Sequence, residues 1–211
     1  MKDWSSLEEA ARAMRRLNRA IAGFDVADED LRDVAAQVEA LAQRLESGPP
    51  RLKEDDMATM PHAAAVRGGQ PLPVAVGEQL EFDAFSAGGG RLHPSSIGLR
   101  LWRDGETSVA AVATVDPMFQ GPPNRVHGGV VALLVDELMG AVNRVTGRRA
   151  FTARLAVDLR AAAPIGTELR FRAWRQDVDG RKITIKAEGH SDEGMFVEAD
   201  ALFIALDPAV P

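Results

Sequence analysis

Hydrophobic residues are densest between Val130 and Val145, where nearly every position is apolar. A helix that is apolar all round is a buried helix, so this stretch predicts a long central helix with a sheet wrapped about it. Gly128 and Gly129 are poor residues for a helix interior and are read as its first turn, where the leading N–H groups have no partner inside the helix. Strand-like alternation flanks this run. Before it, 97–103 and 107–115 read as two strands joined at Asp104-Gly105. After it, 150–160 alternates through Phe151, Ala153, Leu155, Val157 and Leu159, and 168–177 through Leu169, Phe171 and Ala173. The Asp179-Gly180 and Glu193-Gly194 turns then lead into strands at 181–190 and 195–206. Two strands, one buried helix and four strands describe an α+β fold, an antiparallel sheet wrapped around one long central helix.

The N-terminal region follows a helical period instead. Residues 5–22 carry Leu7, Ala10, Met14, Leu17 and Ile21 on one stripe, with Ser5 and Glu8 spaced as a capping box. Leu31, Val34, Val38, Leu41 and Leu45 mark a second helix that Gly48-Pro49-Pro50 stops. Two short helices bury little alone, so this hairpin is expected to pack on its own domain, on a dimer mate or on another protein, the packing appendage being favoured. Arg12, Arg15, Arg16 and Arg19 are followed by acidic residues and are read as a solvated helix face. Residues 49–95, rich in Pro and Gly, form a connecting segment that ends in a loop from Phe82 to Pro94. The expected organisation is a helical extension over 1–48, the connecting segment over 49–95, and the sheet-and-helix domain over 96–207.

Composition narrows the function. An apolar fraction of 45% over 211 residues supplies one core with an extension. The absence of cysteine excludes disulfides, thiolate nucleophiles and cysteine metal sites, and suits a reducing cytoplasm. His62, His93, His127 and His190 lack ligand spacing, so no metal or other cofactor is expected. A net charge of −6 argues against nucleic-acid binding. The chain opens on a charged amphipathic segment rather than a signal peptide, and no apolar run reaches the length of a membrane span.

Chemistry concentrates at the central helix. Asp136 and Glu137 interrupt its apolar run, and an ionised carboxylate buried without a partner costs several kcal/mol or shifts its pKa. Eight residues of helix separate Gly128 from Asp136, roughly 12 Å. One chain cannot bring both to a single carbonyl, whereas a second, antiparallel copy can, so a working site here implies a homodimer with shared sites.

The run Asn124-Arg-Val-His127-Gly128-Gly129, with Asp136 eight residues past Gly128, resembles the signature of hotdog-fold acyl-CoA thioesterases of the PaaI-like branch. Gln120-Gly-Pro-Pro before it and Asp136-Glu-Leu-Met-Gly140 after it fit the same branch, over a match running from about Ile97 to Asp207. The resemblance implies a hotdog fold and an acyl-CoA substrate. It also implies an oxyanion held by the Gly128 N–H, and Asp136 of the other subunit acting as general base or nucleophile. In that reading Thr152 positions water or steadies the aspartate and His127 shapes the helix start. Gln120, Asn124 and Gly129 then border the substrate, with Arg148 and Arg149 near the phosphates of CoA.

Duller readings stand beside these. Asp136 is alternatively a structural carboxylate paired with an arginine, His127 a simple cap, Glu137 a packing residue facing elsewhere, and Arg125, Arg148 and Arg149 solvated surface. Simple alternation puts Thr152 on the face opposite Phe151 and Leu155, away from the helix. Met57, Met60 and His62 are candidates for a lid. Pocket depth depends on which of Met57, Met60, Phe82, Phe85, Leu134 or Met139 reaches the site. A non-catalytic acyl-CoA-binding hotdog protein, acting as sensor or scaffold, is the alternative function, and a hotdog hydratase ranks lower because no histidine follows Asp136 closely. Dimer and tetramer, as a dimer of dimers, both remain open.

Overall fold

The computed structural model describes residues 3–60, 63–81 and 83–206. Helices α1 (Ser5–Gly23) and α2 (Asp28–Glu46) come first, followed by two single-turn helices, α3 (Lys53–Met57) and α4 (Ala63–Arg67). Strands β1 (Gln79–Leu80), β2 (Arg100–Arg103) and β3 (Ser108–Thr114) precede the central helix α5 (Gly128–Val145). Strands β4 (Ala150–Leu159), β5 (Glu168–Asp179), β6 (Lys182–Ser191) and β7 (Gly194–Ala205) complete one antiparallel sheet of order β1-β2-β3-β5-β6-β7-β4. The α+β arrangement read from the hydrophobic pattern is the one observed.

The core lies between α5 and the concave face of the sheet. Leu134, Val135, Leu138 and Met139 of the helix are fully buried. Opposite them the strands present a mixture of small side chains, among them Ala111, Ala113, Ala173, Ala187, Ala199 and Ala201, and large ones, among them Leu169, Phe171, Ile185 and Phe203. Large and small strand residues interleaved against the large residues of the helix fill the layer at interior density. The wrapping is incomplete, however. Leu133 is 37% exposed, and Gly129 also faces outward, so one side of α5 is open in a single chain. The all-round burial expected from the sequence is not met within one copy.

That open side adjoins β4, which among the described residues ends the sheet and pairs only with β7. Phe151 is 68% exposed and Leu159 53% exposed on this edge strand. Thr146 Oγ1 donates to the Val142 carbonyl as α5 ends, and Gly147, at φ 67°, turns the chain into β4.

Other expectations need correction. Ser5 and Glu8 form no capping box: Trp4 is the residue before the helix and makes no side-chain cap, while Glu8 pairs with Arg91. A long-range ion pair has claimed the carboxylate that local spacing assigned to the helix end. Arg15 donates to the carbonyls of Arg91 and His93, and Arg19 pairs with Asp116, so two of the α1 arginines dock the helix rather than merely solvate it. Trp4 also anchors α1, in a small cluster with Met60, Ala84 and Leu92. Helix α2, by contrast, has no buried residue. The connecting segment contributes α3, α4 and β1, which two- to five-residue patterns do not reveal. The predicted first strand is shorter than expected, because Ile97 and Leu99 are buried in the approach to β2 rather than in the strand itself.

Candidate active site

Two candidate clusters of functional groups lie on α5. At its N-terminus, His127 is the capping residue, and its Nδ1 accepts from the Gly129 N–H at 3.0 Å. The His127 carbonyl accepts from Val130 and Val131. Among the described residues the Gly128 N–H therefore has no partner, and the helix end concentrates partial positive charge on it. A Cβ on residue 128 would lie 2.9 Å from Leu159 Cδ1, so glycine keeps this amide accessible beside β4. The preceding loop is built to hold the turn. Gln120 Oε1 accepts from the Asn124 N–H at 2.9 Å, and Asn124 adopts φ 62°, a conformation asparagine tolerates better than most residues. Arg125 is committed to structure through the Ala162 carbonyl and Glu193.

The second cluster begins two turns along α5. Thr152 Oγ1 donates to Asp136 Oδ1 at 3.0 Å. The placement of Thr152 overturns simple alternation, and the cause is a β-bulge. Thr152 pairs with Phe203 and Arg154 with Leu202, so Ala153 is an extra residue with no counterpart on β7. The bulge reverses the phase of the strand. Leu155 and Val157 face the core after it, while Ala150 and Thr152 face the helix before it, and Phe151 turns outward.

Asp136 and Thr152 open onto a cavity of about 180 Å³ that also reaches Gly140, Asn143, Phe151 and Phe203. Positions 136, 140 and 143 share one helix face. Gly140 leaves open space where a side chain would stand, which lets the cavity extend along α5. Asn143, passed over in the sequence, interrupts the apolar run on this face, the one signal that would have exposed it. Its side chain is 3% exposed, and among the described residues neither Oδ1 nor Nδ2 has a hydrogen-bond partner.

Glu137 borders both this cavity and a neighbouring cleft lined by Ser86, Asp83 and Arg91. It is not directed to solvent. Its methylenes lie against Gly88, where a Cβ would come within 2.9 Å of Cγ, and burial raises its carboxyl above the usual value despite a hydrogen bond from Ser86. Past the C-terminal end of α5, Arg148 and Arg149 line a cleft of about 330 Å³ together with Arg67, Gly68 and Gly69. Arg149 donates to the Arg67 carbonyl at 3.2 Å. Arg144 lies between this cleft and the Asp136 cavity, its guanidinium depressed mainly by desolvation and bonded to no described carboxylate. The contribution of Arg67 and Gly68 comes from tertiary folding and had no local signal.

The lid reading is not supported for the residues described: Met57 and Met60 pack in the Trp4 cluster and neither lines the Asp136 cavity. His62 and Phe82 fall outside the described residues. Among the described residues no group of acidic or histidine side chains is arranged to hold a metal, and no helix is long and apolar enough to cross a membrane.

Comparison with known proteins agrees with this fold. Residues 124–198 match the model of the thioesterase superfamily. An acyl-coenzyme A thioesterase THEM4 of Xenopus laevis is 33% identical over 110 residues, covering 51% of this chain and 50% of that protein, so the chain spans about half the length of this curated relative. A solved thioesterase superfamily protein superposes with a TM-score of 0.75 at 26% identity, over 96% of this chain and 92% of its own. The Escherichia coli PaaI protein shares the fold at a TM-score of 0.50 and 14% identity, over 53% of this chain and 81% of its own. The family match spans the capped helix and most of the strands that follow it, so residues 124–198 are similar to the thioesterase superfamily, and the sheet wrapped round one helix is the hotdog fold.

Proposed function

We propose that the chain is an acyl-CoA thioesterase whose active site forms between two antiparallel copies, within the domain at 96–207. The observation that carries this reading is the Thr152–Asp136 hydrogen bond opening onto a cavity, with an unpartnered Gly128 N–H roughly 12 Å away on the same helix. Each half lacks what the other has. A two-fold axis crossing the open side of α5 would bring Gly128 of one copy opposite Asp136 of the next. It would also bury Leu133, Phe151 and Leu159 and pair the free edges of β4.

In this site the thioester carbonyl oxygen accepts from the Gly128 N–H, and the helix terminus stabilises the oxyanion formed on attack. His127 fixes the helix start by holding the Gly129 amide, so that the Gly128 amide is the one left for substrate. Asp136 either takes a proton from the water that attacks the carbonyl, or attacks the carbonyl itself to form an anhydride that water then hydrolyses to free the carboxylate; in both routes the C–S bond breaks and the sulfur takes up a proton supplied by that water, giving the acid and CoA as the thiol. Thr152 holds the carboxylate from the sheet side. Gln120 and Asn124 keep the approach loop in place beside the acyl thioester, and Arg148 and Arg149, with Arg67 and Arg144 nearby, receive the phosphates of CoA. The cysteine-free composition suits work in the cytoplasm.

The test is release of free CoA from a panel of short, long and aromatic acyl-CoAs by wild type, Asp136→Ala and Asp136→Asn, with mass measured by light scattering. Turnover abolished in both variants with the dimer intact supports the proposal. A wild type that hydrolyses none of the panel while acyl-CoA raises its melting temperature would leave the binding-only reading in its place.

A further inference from the structure

We infer that Asn143 selects acyl groups that carry a hydroxyl at the end remote from the thioester. The inference rests on the reading of the Asp136 cavity as the acyl site and deepens it. Asn143 is a buried amide whose donor and acceptor both lack a partner among the described residues, and buried polar groups are nearly always paired. It lines the same cavity as Asp136 and Thr152, on the same face of α5, with only the absent side chain of Gly140 between. A cavity otherwise built for a plain hydrocarbon would carry an apolar residue here, since an orphaned amide opposes burial of alkyl groups against it.

The chemistry of the two free atoms defines the ligand. Oδ1 accepts and Nδ2 donates, so the complementary group must do both, as a hydroxyl does. A carboxylate or ketone oxygen only accepts and would leave Oδ1 unpaired. Length follows from the helix. Asn143 stands seven residues past Asp136, roughly 10 Å along the axis. A hydrogen bond takes up about 3 Å of this, leaving about 7 Å of extended chain between carbonyl carbon and hydroxyl oxygen. A 6-hydroxyhexanoyl group has that reach.

The experiment compares 6-hydroxyhexanoyl-CoA, heptanoyl-CoA of matched length, and adipoyl-CoA, with wild type and with the near-isosteric Asn143→Leu. Wild type is expected to favour the hydroxylated substrate over both others by at least tenfold in kcat/KM, and Asn143→Leu to reverse the order in favour of heptanoyl-CoA. The same three ligands are also measured by calorimetry as their 2-oxoalkyl thioethers of CoA, which no thioesterase can cleave. If wild type hydrolyses nothing, the thioethers still report the preference, so failure of the catalytic proposal is separated from failure of this one. Equal treatment of hydroxylated and plain chains by wild type, a preference for adipoyl, or a hydroxyl preference that survives Asn143→Leu each overturns the inference. Should Asn143→Leu not fold, the wild-type ratio alone decides.

Discussion

Replacing Thr152 by valine keeps the shape of the side chain and removes only the hydroxyl. In the structure that hydroxyl makes one hydrogen bond, 3.0 Å long, to a carboxylate. Hydrogen bonds to charged groups contribute about 1.5–3 kcal/mol, and each 1.36 kcal/mol in a barrier is tenfold in rate. If the bond orients Asp136 for attack, Thr152→Val should lower kcat/KM for the best acyl-CoA by roughly 10- to 150-fold, with most of the loss in kcat because the hydroxyl touches the carboxylate and not the acyl chain. Thr152→Ser restores the donor at the same position and should recover most of the rate. Thiol release in steady state, with melting temperature and mass checked for each variant, gives the answer. Wild-type turnover by a folded, dimeric Thr152→Val protein would refute the reasoning, as would equal damage from Thr152→Ser. Either would make the hydrogen bond a by-product of packing.

Further predictions follow from the same geometry. Glu137 titrates above the usual glutamate value of 4.5 because it is desolvated; a raised folded-state pKa contributes stability below the unfolded value, which is lost as pH rises through the folded one. Glu137→Gln should therefore match wild type in melting temperature near pH 4 and exceed it at pH 8, and a constant offset across that range would count against the burial argument. Charge reversal at Arg148 and Arg149 should raise KM for acyl-CoA by about tenfold, the scale of one lost charge-assisted hydrogen bond, while leaving turnover of the matching acyl-N-acetylcysteamine, which has no phosphate, unchanged. Leu133→Asp should abolish activity by yielding a folded monomer, detectable by light scattering, because burial of one leucine is worth about 1.5–3 kcal/mol and a charge there reverses the sign.

What the sequence disclosed and what it hid divide along physical lines. The central helix was legible because eighteen residues of sustained hydrophobicity admit few other structures, and Asp136 stood out against that background. Strand β6 kept alternation throughout, β5 from Glu168 to Ala173 and β7 from Val197 to Ala205, and these stretches revealed their inward faces. Thr152 could be suspected only through resemblance, because period-two reasoning assumes an unbroken ladder and the residue that breaks it, Ala153, is chemically silent. Strand β1, with two residues, is too short to carry a period. Glu8 left its expected cap for Arg91, and Arg67 came to lie beside Arg149; both are tertiary meetings that spacing along the chain does not encode. Asn143 was the avoidable omission, a polar residue seven positions from a suspected catalytic one on a helix.

The single unpaired residue in β4 bears on how such sites arise. Deleting Ala153 would join the Thr152–Phe203 and Arg154–Leu202 pairs into a regular ladder and leave Thr152 facing Asp136, whereas a ladder that took Ala153 into regular pairing would rotate Thr152 to the far side of the sheet and turn Phe151 in toward the helix. No residue of the site would have changed identity. In this architecture, then, whether one extra residue is left out of the ladder or taken into it decides between a polar and an aromatic contact beside the carboxylate, a step that point substitution reaches only by two coordinated changes.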